Sequence, residues 1–151
     1  MRKLQYAALP YRFDSDGGVE ILLVTSRRSR RWIIPKGWPI KGLGPAEAAA
    51  REAFEEAGVV GQIEETELGR FSYVKLLEKA CRTVECEVIV FPLHVDRQLL
   101  SWPEAGQRTI RWTSAEEAER AVSDIGVGPL IQRVACRLGE RRPTDIHPME
   151  G

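Results

Sequence analysis

The sequence has only two histidines and three cysteines, too few and too scattered to make a structural zinc site. His94, His147, Cys81, Cys86 and Cys136 show no paired ligand spacing. An odd number of thiols is also a poor disulfide framework, so reduced cysteines in a reducing compartment are expected. Neither sign of charge is in excess, since 22 basic residues balance 22 acidic ones. That balance argues against a nucleic-acid polymer as partner, because domains that bind one carry a basic surplus. It leaves room for a small anion held by a local basic segment. Long apolar runs are missing as well. No stretch approaches a membrane span, and Arg2 and Lys3 are followed by a segment broken by polar residues and Pro10, unlike a secretory leader. A cytoplasmic protein with no membrane partner is the expectation. Oligomeric state is not legible in these features.

What is present is the composition of one globular domain: 151 residues, 43% hydrophobic and 29% charged. A chain of this size hides roughly 70% of its unfolded surface, enough for a core and a cleft. Residues 4–13 and 19–25 read as strands flanking a turn rich in Asp and Gly. A basic segment, 26–31, and the apolar Trp32, Ile33 and Ile34 lead into a Pro/Gly-rich loop over 35–44. Pro45 suits the first position of a helix and Gly58 the residue just past its end. Residues 62–77, with a turn near Gly69, then 83–95 and 108–112 have strand character. Ser114 and Glu117 have capping-box spacing for a short helix. Val127, Leu130, Ile131, Val134 and Leu138 recur at helical spacing, with Gly139 as the expected stop. Strands on both sides of one central helix, with helices at the end, predict an α/β domain whose mixed sheet carries helices on both faces. Residues 1–140 are read as that single domain and 141–151, including His147, as a loose tail.

The helix over 45–57 carries the most information. Ala46, Ala49, Ala50, Ala53 and Ala57 form one stripe at about 100° per residue, small enough for close approach to a sheet. Glu52, Glu55 and Glu56 fall on an adjoining face, where offsets of three and four bring side chains together. Arg51 is spaced to relieve Glu55, but nothing on the helix relieves Glu52 against Glu56. An acidic helix face is often just solvated surface. A divalent cation would satisfy the same carboxylates as hard oxygen ligands.

Gly37, followed by Arg51, Glu52, Ala53, Phe54, Glu55, Glu56, Ala57, Gly58 and Val59, resembles the Nudix box at its fixed gap. The pattern also requires a glutamate six residues after Gly37, and that position is Leu43. Glu47 cannot replace it without breaking the gap to Arg51. The resemblance implies an α/β/α sandwich and a phosphoanhydride hydrolase using Mg²⁺ or Mn²⁺. It implies that Glu52, Glu55 and Glu56 hold the metal, that Glu52 acts as base or ligand, and that Arg51 orients a carboxylate. Gly37 and Gly58 would be structural in the motif. A base outside the box is also known in this family, and Glu104, Glu85 and Glu87 are the candidates here. Alternation on a strand puts Glu85 and Glu87 on one face.

Arg27, Arg28, Arg30, Arg31 and Lys36 precede the box. Alone they would read as a solvated basic turn. Beside a phosphate-handling site they become a phosphate clamp, guanidinium groups binding oxygens in pairs and lysine as a point charge. The segment from Arg31 to Pro39 resembles the Nudix branch of diphosphoinositol and diadenosine polyphosphate hydrolases, and so do Gln107, Arg108 and Trp112. Trp32, Trp38, Trp102 and Trp112 could stack on a base, although packing is the commoner use of tryptophan. Three readings follow. The chain hydrolyses a highly phosphorylated small molecule, or an ordinary nucleoside diphosphate derivative, or it is a non-catalytic nucleotide-binding module, which Leu43 favours and the intact box glutamates oppose.

Overall fold

A computed structural model describes residues 2–141. Eight strands form one mixed sheet: β1 (Arg2–Phe13), β2 (Val19–Thr25), β3 (Trp32–Ile33), β4 (Lys36–Gly37), β5 (Val59–Ile63), β6 (Gly69–Leu77), β7 (Arg82–Gln98) and β8 (Ile110–Ser114). The helices are α1 (Pro45–Ala57), α2 (Ala115–Ala121) and α3 (Val127–Arg141). The sheet runs β3-β2-β1-β7-β5, with β4 on β1, β6 on β7 and β8 on β2. Its spine is the parallel pairing of β1 with β7, in register from Arg2–Glu85 to Tyr11–His94. The other pairings are antiparallel.

Alternation along the strands divides the core in two. Leu9, Tyr11, Ile21, Leu23, Val88 and Val90 face one way and bury Val127, Leu130, Ile131, Val134 and Leu138 of α3. Ala8, Leu22, Ile89, Phe91, Leu93 and Val95 face the other way and receive Ala46, Ala49, Ala53 and Ala57 of α1. The expected α/β/α sandwich with helices on both sheet faces is what forms. Among the described residues no helix is long and apolar enough to cross a membrane.

Several local expectations are corrected. Ala50 is only half-buried, whereas Ala48 is fully buried and belongs to the inward side of α1. Gly139 does not stop α3, which continues to Arg141. The buried Leu138 anchors that turn, and its packing outweighs the roughly 1 kcal/mol a helical glycine costs. The loop over 35–44 contains β4, because Lys36 and Gly37 pair with Ala7 and Tyr6 of β1. The strand expected at 108–112 is shifted to Ile110–Ser114, which leaves Arg108 and Thr109 outside the ladder. Of the expected tail over 141–151, Arg141 belongs to α3, and residues 142–151, including His147, lie outside the described residues.

Candidate active site

The last turn of α1 sets the site. Gly58 adopts φ 71°, the left-handed conformation in which glycine is not strained, and its N–H donates to Phe54 O at 3.0 Å. The following carbonyls find partners in the connection from β7 to β8. The Glu104 amide donates to Glu55 O at 3.0 Å, Trp102 Nε1 to Glu56 O at 3.2 Å, and Gln98 Nε2 to Ala57 O at 3.0 Å. A helix end normally leaves these acceptors without intrahelical donors. Satisfying them ties residues 98–104 to the end of the acidic helix.

That tie delivers a cation the box does not contain. Arg108 Nη2 lies 3.5 Å from Glu56 Oε2, and its Nε donates to Glu104 Oε1 at 2.7 Å. Nη1 donates to Thr25 O at 3.0 Å, at the end of β2. The Arg108 and Glu56 side chains are only 8% and 7% exposed. The signal for this contact was present in the sequence only as the i, i+4 spacing of Glu104 and Arg108.

Glu52 and Glu56 are one turn apart on α1, and Gly37 of β4 lies directly against Glu52. A Cβ at Gly37 would fall on the Glu52 carboxyl carbon and Oε2. Burial raises the Glu52 carboxyl above the usual range and the charge of Glu55 raises it further, while a side-chain hydrogen bond with Glu56 draws it part of the way back. Burial pushes Glu56 up to about 8, against the downward pull of Arg108 and with a further upward push from Glu52. The helix contributes to the same problem, since its C-terminal end is the negative end of its dipole and its last turn has no basic residue. Glu56 Oε1 is buried without a hydrogen-bond partner. A deprotonated Glu56 is therefore under-compensated, even with Arg108 beside it. Among the described residues no three carboxylate, imidazole or thiol groups converge closely enough to hold a metal ion as they stand. Arg108 lies between the carboxylates of Glu56 and Glu104.

These shifts give a prediction for the metal-free protein. Folded Glu56 holds its proton up to about pH 8, whereas an unfolded glutamate releases it near pH 4.3. Between those values the folded state binds more protons, so stability falls as pH rises. Urea unfolding in chelator should show a loss of about 2–4 kcal/mol from pH 5 to pH 8.5. In Glu56→Gln the slope should be largely gone; an equally steep slope in that variant would assign it to another group.

The remaining predicted residues are placed as follows. Glu55 is partly exposed and Arg51 Nη1 lies 3.9 Å from its Oε2. Arg27, Arg28, Arg30 and Arg31 are exposed in the turn between β2 and β3. Arg30 has φ 56° and reaches Gln107 O at 3.1 Å and Thr109 Oγ1 at 3.4 Å, and Arg27 reaches Gln107 Oε1 at 3.5 Å. Arg27 and Arg30 thus contact the segment that carries Arg108. Arg31 Nε turns back to Ser29 Oγ at 3.0 Å. Lys36 leaves β4 on the other side from Gly37 and sets its ammonium 4.7 Å from the Tyr73 ring centroid. Burial lowers its pKa, and Asp124 and Glu56 partly restore it.

Glu85 and Glu87 are not brought to this cluster. They do share a face, but there β7 runs beside Arg2 and Leu4, whereas α1 packs over Ile89 to Val95. Arg2 lies 3.5 Å from Glu85 and 3.9 Å from Glu87, and Arg70 lies 3.6 Å from Glu87. At Leu43 the side chain is half-buried and the amide donates to Ile40 O at 3.0 Å. Glu47 Oε1 accepts from Gly44 N at 3.0 Å, so that carboxylate is occupied at the start of α1. Trp102 and Trp112 donate to Glu56 O and Gln98 Oε1, and Trp32 packs against the α3-side core. Trp38 is the most exposed of the four. His94 stacks on Tyr11 with ring centroids 5.0 Å apart.

Known proteins resemble this chain in sequence and in fold. Residues 3–134 match the family model described as the NUDIX domain. Nudix hydrolase 21, chloroplastic, of Arabidopsis thaliana is 39% identical over 114 residues, covering 73% of this chain and 54% of that protein. Diphosphoinositol polyphosphate phosphohydrolase 3-beta of Bos taurus is 36% identical over 109 residues, covering 70% and 62%. The chain therefore spans between half and two thirds of the length of these two relatives. The crystal structure of C. elegans Ap4A hydrolase superposes with a TM-score of 0.65 at 22% identity, covering 91% of this chain and 99% of that one, a likeness of fold. The family model spans the sheet, the acidic helix and the loop that closes on it, and on that match the chain belongs to the Nudix hydrolase family.

Proposed function

We propose that the chain is a divalent-metal-dependent pyrophosphohydrolase acting on a small, highly phosphorylated molecule of the diphosphoinositol polyphosphate or dinucleoside polyphosphate type. The observation that carries this reading is the buried Glu56, whose Oε1 has no partner while its charge is only partly met by Arg108. Such an oxygen suits a hard cation. Glu52, Glu55 and Glu56 would hold Mg²⁺ or Mn²⁺. When bound, such an ion screens phosphate charge and acidifies a water.

The chain's own residues supply the rest. Glu52, whose carboxyl lies against Gly37 of β4, is the first candidate for either role, ligand or base in the attack by water. Glu104, held at 2.7 Å by Arg108, is the second candidate for the base. Arg51 restrains Glu55. Arg27 and Arg30, on the rim formed with Gln107, meet phosphates beyond the reacting pair, with Arg28 and Arg31 in the same turn. Lys36 adds a buried ammonium on the other side of β4 from Gly37, where its charge and that of Glu56 still act on each other. The cytoplasm belongs to this reading, as a compartment where thiols such as the buried Cys86 stay reduced.

A screen of phosphoanhydrides with Mg²⁺ and Mn²⁺, scoring released phosphate, tests the proposal. Turnover by the natural chain is expected, with Leu43→Glu changing rate or metal preference only modestly. If no substrate is cut until Leu43→Glu is made, the second reading, a nucleotide-binding module lacking the loop glutamate, takes its place.

Substrate density is tested separately. Charge-assisted contacts contribute about 1.5–3 kcal/mol each when partly shielded from water, and salt weakens exposed ones. Arg27→Ala and Lys36→Ala should raise KM about 10–100-fold for the most phosphorylated substrate and much less for a nucleotide sugar. Equal losses on both substrates would return the arginines to a solvated turn and favour ordinary nucleoside diphosphate derivatives.

A further inference from the structure

We infer that Arg108 is an internal counter-cation, held at the acidic cluster in competition with the divalent metal, and that it latches the Glu104 loop there while the metal is absent. The inference rests on the reading of Glu52 and Glu56 as metal ligands. Three contacts support it. The guanidinium spans Glu56 at 3.5 Å and Glu104 at 2.7 Å and is anchored on Thr25 O at 3.0 Å. One cation thus joins the end of α1, the β7–β8 connection and the end of β2. It is almost fully buried, so solvent screens its charge little. Yet Glu56 Oε1 stays without a partner, so the guanidinium compensates the cluster only in part.

A planar, permanently charged group lies between Glu56 and Glu104, in the space a cation shared by those two carboxylates would take. A divalent ion approaching Glu56 meets a positive charge already in place. Arg108 must withdraw toward Glu104 or toward a substrate phosphate. Arg108 is thus a positioning residue that sets metal affinity through the carboxylates it holds.

The competition has a sign that structural damage would not produce. Losing a ligand or loosening the loop weakens metal binding, whereas removing the competing cation strengthens it. Without Arg108 the carboxylates also bind protons more tightly. A divalent ion gains about twice what one displaced proton gains from the same lost repulsion, so proton competition reduces the effect without reversing it.

The test measures Mn²⁺ binding to the full chain by titration calorimetry, with no substrate present, in the natural protein, Arg108→Met and Arg108→Lys. Thermal unfolding is followed with and without Mn²⁺. Arg108→Met keeps the aliphatic stem and loses the charge. Its Kd for Mn²⁺ should tighten about tenfold, its metal-free Tm should fall, and its Tm gain on saturation with Mn²⁺ should exceed that of the natural protein. Arg108→Lys cannot span both carboxylates and Thr25 O, and should show a smaller tightening of about threefold. An unchanged or weaker Kd in folded Arg108→Met overturns the inference. If that variant does not fold, an unchanged or weaker Kd in Arg108→Lys overturns it instead. Failure of the natural protein and both variants to bind Mn²⁺ would overturn the metal-ligand reading itself.

Discussion

Glu56→Gln is expected to lower kcat by at least about a hundredfold while leaving the fold intact, and Glu52→Gln to do the same. The amide keeps the shape of the side chain and removes the charge a divalent ion would need. Because Glu56 is buried, partly unpartnered and pushed up to about 8, its ionised form is unfavourable in the metal-free protein. Glu56→Gln should therefore be at least as stable as the natural chain above pH 8 in chelator, even though it is inactive. Loss of activity with unchanged or improved stability separates a functional carboxylate from a structural one. Kinetics with a phosphoanhydride substrate, paired with urea unfolding, read both quantities. Full activity in either variant, or full activity in excess chelator, would sink the metal-centred mechanism.

Gly37→Ala is expected to reduce kcat by about 10–100-fold, with a stability change within about 1 kcal/mol. Both strands that fix Gly37 are paired: Tyr6 of β1 faces it across the ladder, and β1 is held along its length by β7. The methyl group would land on the Glu52 carboxyl group. The backbone cannot yield cheaply, whereas the end of a glutamate side chain can. Glu52 therefore moves, and a displacement near 1 Å of a reacting group is enough for losses of this size. Measuring kcat with circular dichroism and Tm distinguishes this from unfolding. Natural activity in a folded Gly37→Ala would show that Glu52 need not sit against β4.

The same glycine shows how far the sequence could be read. Its spacing to Arg51 marked it as part of the box, but not why glycine is needed. That reason is a contact between a strand and a helix, visible only once β4 is paired to β1. Gly58 behaves likewise. Its place just past a helix was legible, whereas a Cβ there would also meet the Trp102 ring, across 44 residues of chain.

By itself the sequence determined what depends on local spacing. Periods of two and of 3.6 residues fixed strand faces, the alanine stripe apart from Ala50, and the apolar face of α3, because side-chain direction follows backbone geometry. The gap between Gly37 and Arg51 placed three glutamates on one helix and pointed to the Nudix family. Tertiary structure alone decided what depends on chain segments meeting. It set Glu104 beside the acidic cluster and left Glu85 and Glu87 away from it, because orphan carbonyls at the end of α1 are satisfied by the β7–β8 connection and not by the far end of β7. It also brought in Arg108, 52 positions after Glu56, because a buried carboxylate at the negative end of a helix is stabilised by a cation, and the last turn of that helix has none.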